Sequence, residues 1–220
     1  GATRALDGVS IAFAEGTSTA IMGASGSGKT TLLHLLAGII APDQGAVTYA
    51  HSEISRLSDA DRSRLRREQF GFVFQQGLLV PELTAAENVA LALMLNGMSK
   101  REALIPAGQW LAALGLGGME ARRIGELSGG QAQRVAIARS QVTGARIVFA
   151  DEPTGALDST TSAEVMEALL GSTVGQGRTL VVVTHDPPVA ARCQRVVTLS
   201  DGRIIADVMN PAASGFESAR

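Results

Sequence analysis

Gly23-Ala24-Ser25-Gly26-Ser27-Gly28 runs into Lys29 and Thr30, with Thr31 next, between the apolar residues 19–22 and a helical pattern over 31–37. Glycines at this density let successive backbone N–H groups turn inward toward anionic oxygens, and the following helix adds the positive end of its dipole. Lys29 supplies a point charge in a chain whose only other lysine is Lys100. The hydroxyl of Thr30 can ligate Mg²⁺, which bridges two phosphates and neutralises charge as a terminal phosphoryl group leaves. Strand, glycine loop, lysine, hydroxyl and helix in this order predict a nucleotide-phosphate (Walker A) site.

A second candidate closes the apolar run 147–150 with Asp151 and Glu152. A buried parallel strand whose carboxyl end meets a ligand crevice reads this way. Asp151 would reach the Mg²⁺ shell. Glu152 would polarise the water that attacks the γ-phosphate, a general-base role contributing roughly 10²- to 10⁴-fold in rate. The bland alternative is an acid pair capping a helix before Pro153. Leu127-Ser128-Gly129-Gly130-Gln131 offers a further anion-binding helix start. One nucleotide needs one cradle, so the second points to a nucleotide held between two protomers, with Ser128, Gly130 and Gln131 reaching the γ-phosphate of the opposite subunit. An ordinary serine N-cap is the alternative.

The elements that must position these groups alternate. Apolar runs at 9–13, 19–22, 70–74, 147–150, 180–183 and 196–199 predict strands, and spacings of three and four predict helices at 31–37, 84–95, 101–114, 131–141 and 162–170. The fold class is α/β: a P-loop NTPase core sheet flanked by helices. Residues 76–130 lack a convincing strand and read as a helical subdomain inserted into a core of about 1–75 and 131–210, with 211–220 a frayed tail. At 220 residues the chain suits one domain.

A net charge of -2 gives no basic field to hold phosphate backbones, which disfavours nucleic acid. Cys193 is alone and no secretion signal opens the chain, so a reducing cytoplasmic compartment is expected. The uncharged stretch 103–119 contains Pro106, Gln109 and several glycines, which is wrong for a membrane span. Any membrane role is expected through a partner.

Taken together and in this order, these motifs resemble the nucleotide-binding subunit of ATP-binding-cassette (ABC) transporters, over nearly the whole chain. The resemblance implies the RecA-like form of the P-loop core, ATP and Mg²⁺ as ligands, and phosphate contacts from residues 23–31 and 128–131, Gly129 included. It further implies that Gln75, in Phe72-Val73-Phe74-Gln75, touches Mg²⁺ or the attacking water at the hinge to the helical subdomain. Taken alone, Gln75 reads as a solvent-facing strand end. His185, after Val183-Thr184, is implied to contact the γ-phosphate and orient Glu152, although a lone histidine after a strand is more often structural. Asp158 is implied to link the two sites of a homodimer through a loop in which many relatives carry serine where Gly155 stands. The runs around Gln75, Leu78-Leu79-Val80-Pro81-Glu82-Leu83 and Asp151 are similar to the lipoprotein-release and macrolide-exporter branch, and Ala24 is similar to haem-exporter relatives. In that branch the adenine-stacking aromatic lies upstream of the run at residue 9. This chain opens at Gly1 without it, so triphosphate contacts are expected to carry the affinity.

Arg62, Arg64, Arg66 and Arg67 beside Asp59, Asp61 and Glu68 read as a solvated helix face. The apolar loop from Gly77 through Leu78 to Leu83 is either core packing or the surface that receives two membrane permease subunits. Trp110 and the group Leu91, Leu93 and Leu95 are expected inside the helical subdomain. Ser140-Gln141 stands where relatives carry a small apolar pair, a change expected to alter helix packing more than chemistry. The leading function is an ATPase that dimerises on ATP to drive export or mechanical work, peripheral on the cytoplasmic face of the inner membrane. A division-type ATPase passing force to a cell-wall-remodelling partner is the alternative. A soluble ABC ATPase of DNA repair or translation would need a coiled-coil insertion or second cassette that the sequence lacks.

Overall fold

A computed structural model describes residues 4–75 and 78–216. In chain order the strands and helices are β1 (Ser18–Met22), α1 (Lys29–Leu36), β2 (Thr48–Tyr49), β3 (Ser52–Glu53), α2 (Asp59–Gln69), β4 (Phe70–Phe74), α3 (Ala85–Met94), α4 (Lys100–Ala113), α5 (Gly129–Gln141), β5 (Ile147–Asp151), α6 (Ser159–Thr173), β6 (Thr179–Thr184), α7 (Pro187–Ala190), β7 (Arg195–Ser200) and β8 (Arg203–Met209). Six strands form one sheet in the order β4-β5-β6-β1-β7-β8, parallel except for β8.

Both faces of this sheet are covered, as parallel pairing with helical crossovers requires. Ala20, Val148, Ala150, Leu180 and Val182 join one buried cluster with residues of α3, α4, α5 and α6. Their neighbours Ile21, Phe149, Val181 and Val183 point the other way and pack with Leu32, Leu33 and Phe70. The period-two alternation of side chains thereby splits the three nearly continuous apolar runs of β1, β5 and β6 between two clusters. The helices are capped locally: Thr84 and Ser99 start α3 and α4 with reciprocal boxes to Glu87 and Glu102.

Two expectations need correction. Residues 9–13 form no strand. Val9, Ile11 and Phe13 do alternate inward and pack on the second cluster, but no described strand pairs with them. Alternation records which face is buried, whereas a ladder needs a partner. Leu95 is 63% exposed at the end of α3 while Leu93 is buried; residues two apart cannot share a helix face. The tail expected to fray carries 3-10 turns over Pro211–Phe216, and 217–220 lie outside the described residues. So do Gln76 and Gly77, where the sequence places the start of the helical subdomain and of the apolar loop.

Ser140 and Gln141 both take part in close packing. Ser140 lies against β4 so closely that a Cβ on Gly71 would stand 2.4 Å from the Ser140 carbonyl oxygen. Gln141 is fully buried; its amide donates to the Thr173 hydroxyl at 2.7 Å and accepts from Arg178 at 2.6 Å. The Arg178 guanidinium sits 5.7 Å from the Trp110 ring centre, joining α4 to the core. The arginine-rich α2 is solvated only in part: Arg64 is exposed and paired to Asp61 at 2.9 Å and Arg67 is exposed, whereas Arg62 is largely covered beside Asp59 and Arg66 donates inward to the Gly38 carbonyl at 2.6 Å.

Because the atom facing Gly71 is backbone and cannot swing aside, Gly71→Ala is expected to cost about 1–3 kcal/mol by overpacking. Urea denaturation should show the lower midpoint with an unchanged slope.

Candidate functional site

Parallel pairing places the carboxyl ends of β4, β5, β6 and β1 side by side on one sheet edge. From them emerge Gln75, Asp151 with Glu152, Thr184 with His185, and the loop Gly23 to Thr30. In that loop Gly23 has φ 154° and Gly28 has φ 102°. A Cβ at Gly23 would stand 2.3 Å from the Leu199 carbonyl oxygen, and one at Gly28 would stand 2.4 Å from that of Ala5. Glycine is required at both by curvature and by crowding. Ala24, Ser25 and Gly26 are exposed along the loop, while Ser27 is buried.

Lys29 is only 8% exposed, and its ammonium donates to the Gly23 and Ala24 carbonyls at 2.8 and 2.9 Å. The charge is thus pinned over the mouth of the loop. Thr30 is exposed one residue further, and its hydroxyl donates to Asp151 Oδ2 at 3.4 Å. Asp151 Oδ1 and Ser27 Oγ are buried with no hydrogen-bond partner among the described residues. Burial holds the Asp151 carboxyl above its ordinary pKa, with Glu152 adding to the rise and Thr30, His34 and Lys29 opposing it. A buried, unpartnered carboxylate oxygen beside a threonine hydroxyl is the hard-oxygen set that suits Mg²⁺, which fills the rest of its shell with phosphate and water oxygens.

Glu152 follows with φ 47°, a left-handed backbone rare for a residue with a side chain. Its N–H bonds the Val183 carbonyl at 2.9 Å and its own carbonyl accepts from Gly155 at 3.1 Å, which fixes the turn. The carboxylate lies 2.8 Å from His185 Nδ1 through Oε1 and accepts from the Thr184 hydroxyl at 3.4 Å through Oε2. Strained backbone of this kind gathers at functional sites. Thr184 is a partner that sequence reading passed over, although it stands in the quoted Val183-Thr184-His185 run. The Gln75 side chain lies over the same turn: a Cβ on Gly155 would stand 2.8 Å from its Nε2.

Ser128, Gly129, Gly130 and Gln131 sit elsewhere in the protomer, at the start of α5. Ser128 Oγ accepts from the Gln131 N–H at 3.3 Å and Gln131 Oε1 accepts from the Ser128 N–H at 2.9 Å. The two glycines face the start of α6, where added Cβ atoms would meet Leu157 at 3.1 Å and Thr161 at 2.4 Å. Asp158 caps α6, accepting from the Thr160 and Thr161 N–H groups at 3.0 Å and the Thr161 hydroxyl at 2.6 Å, which lowers its pKa. Among the described residues no hydrogen bond joins this group to the glycine loop of its own chain.

Residues 6–155 match the family described as ABC transporter. The chain belongs to that family. Among relatives of this cassette, the macrolide export ATP-binding/permease protein MacB of Burkholderia thailandensis is 44% identical over 97% of the chain and 33% of its own length. MacB 1/2 of Paracoccus denitrificans is 45% identical over 94% and 31%. The cassette spans about a third of the length of these relatives. A solved structure, the post-hydrolysis dimer of the ATP-binding cassette MJ0796 bound to ADP and Pi, is 39% identical and superposes with a TM-score of 0.84, covering 94% of this chain and 90% of that one. CbiO1 of Clostridium perfringens, part of the ABC transporter complex cbiONQ, is 28% identical with a TM-score of 0.85, covering 96% and 84%.

The buried carboxylate has a measurable cost. Asp151→Asn keeps the shape and removes the charge, so it should raise the ligand-free melting temperature by roughly 2–4 °C at neutral pH, the shift of about 1 kcal/mol in a chain of this size. Because the folded-state pKa is raised above 3.8, the wild-type deficit belongs to the ionised form and should close as pH falls through that range. Calorimetry at two pH values checks both.

Proposed function

We propose that this cassette is the ATP-binding and ATP-hydrolysing subunit of an ABC export system, working as a homodimer beside two membrane permease subunits. The observation that carries the reading is Glu152: strained at φ 47°, clamped by His185, and one residue beyond the unpartnered Asp151 oxygen. The N–H groups of residues 23–31 and Lys29 grip the β- and γ-phosphates. Thr30 and Asp151 would hold Mg²⁺, and Gln75 would stand beside it in the closed dimer. When bound, Mg²⁺ neutralises phosphate charge. Glu152 takes a proton from the attacking water, with His185 and Thr184 fixing the orientation of its carboxylate through Oε1 and Oε2. Ser128, Gly129, Gly130 and Gln131 serve the γ-phosphate of the opposite protomer, and Asp158, at the neighbouring helix start, links the two sites.

Among the described residues no helix is long and apolar enough to cross a membrane. We place the cassette on the cytoplasmic face of the inner membrane, held there by its permease. The docking surface is the loop 78–83. Leu78 is 61% exposed at φ 45°, its carbonyl accepting from Arg139 at 2.8 Å. Fully buried Asn88 holds Val80 on both backbone groups, at 2.8 and 3.0 Å, and Leu83 at 3.3 Å. A loop built this rigidly around an outward leucine is a preformed contact surface. Leu79 differs, packing on the first core cluster.

Glu152→Gln should retain ATP binding while turnover falls by about 10²-fold or more. The ATP-bound dimer should then persist in gel filtration with Mg²⁺, and normal hydrolysis would remove Glu152 from the mechanism. Leu78→Asp should leave intrinsic ATPase activity measurable and abolish co-purification with the permease, because an unpaired charge is costly at an apolar contact. Retained co-purification would place the contact elsewhere.

A further inference from the structure

Helix α5 begins at the Ser128 cap and lies along β4, whose last residue precedes Gln75. Gln133, one turn into α5, is 4% exposed, and its side-chain amide donates to the Phe74 carbonyl at 2.9 Å. At the far end of the helix Arg139 donates to the Leu78 carbonyl at 2.8 Å. Next to Arg139, Ser140 presses on Gly71 with no room for a Cβ. The backbone on both sides of Gln75 is therefore held by one helix. An α-helix rises about 5.4 Å per turn and is stiff over that length, so Gln133 and the Ser128 cap move together.

We propose that Gln133 is a positioning residue for Gln75. It fixes the carboxyl end of β4 to the helix whose N-terminus faces the opposite nucleotide, so that closure on that nucleotide and the setting of Gln75 become one event. The proposal rests on the reading of Gln75 and of residues 128–131 given above. Arg139 supplies the second hold, and Gly155 leaves the space in which the Gln75 side chain lies. Gln133 itself touches neither phosphate nor metal. A merely structural glutamine would lower stability when replaced, and its effect on turnover would not depend on Gln75.

The test is a double-mutant cycle on the full chain. Gln133→Met keeps length and volume and removes the donor. It should lower kcat about tenfold, the scale of one lost hydrogen bond, with the KM for ATP changed by less than about threefold because the phosphate grip is untouched. In a Gln75→Ala background it should add nothing, since the group it positions is gone. Gln133→Asn, which keeps a buried amide one carbon too short to reach Phe74, gives the same readout should the methionine variant fail to fold. Equal losses in both backgrounds would overturn the proposal and leave the role of Gln75 standing. Unchanged turnover in Gln75→Ala alone would instead sink that role and the proposal with it.

Discussion

Parallel hydrogen-bond pairing of β4, β5, β6 and β1 is the constraint on which everything else depends. Strands that run the same way finish on the same edge, so the groups that leave them meet without further engineering: Gln75, Asp151 and Glu152, His185, and the glycine loop. The return connections must then cross the sheet faces, which explains why every central strand is buried on both sides and why two apolar clusters exist instead of one. A one-residue slip in any of these registers would exchange the clusters and turn the acidic pair out of line with the loop.

At that edge the fold accepts groups that a stability optimum would remove. Among the described residues Asp151 keeps a buried oxygen without a partner and Ser27 a hydroxyl, and Glu152 has a left-handed backbone. Lys29 is buried but covered by carbonyls of the very loop it serves. Buried polar atoms are normally satisfied, and non-glycine residues seldom adopt positive φ. Their concentration within a few residues of one another is the pattern of strain and unsatisfied polarity that gathers at functional sites.

Helix α5 gives the same economy a mechanical form. Its first turn is capped by Ser128 and Gln131 and packed on the Asp158 cap of α6, while its buried side brackets the end of β4. Ser140 and Gln141 tighten the other end by close approach to Gly71 and by the chain from Thr173 through Arg178 to Trp110. Helices α4 and α5 are thereby tied to the sheet and α6 through polar contacts as well as apolar ones.

Much of this was legible in the residues themselves. Glycine spacing before Lys29, two acids after an apolar run, and helix periods punctuated by serine and threonine caps are local facts, because backbone freedom, charge and amphipathic period are properties of short segments. They determined the α/β class, the central strands, the glycine loop and the acid pair, whereas Gln75 and His185 entered only through the family resemblance. Tertiary structure alone decided the rest. Residues 9–13 alternate like a strand yet pair with none, Leu95 faces outward where Leu93 is buried, and Leu78 rather than Leu79 is the exposed leucine of its loop. Thr184 and Gln133 gain their importance only from what they touch. A sequence specifies which face of a segment prefers burial; which neighbour fills that face, and which carbonyl a buried amide finds, depend on contacts between residues far apart in the chain.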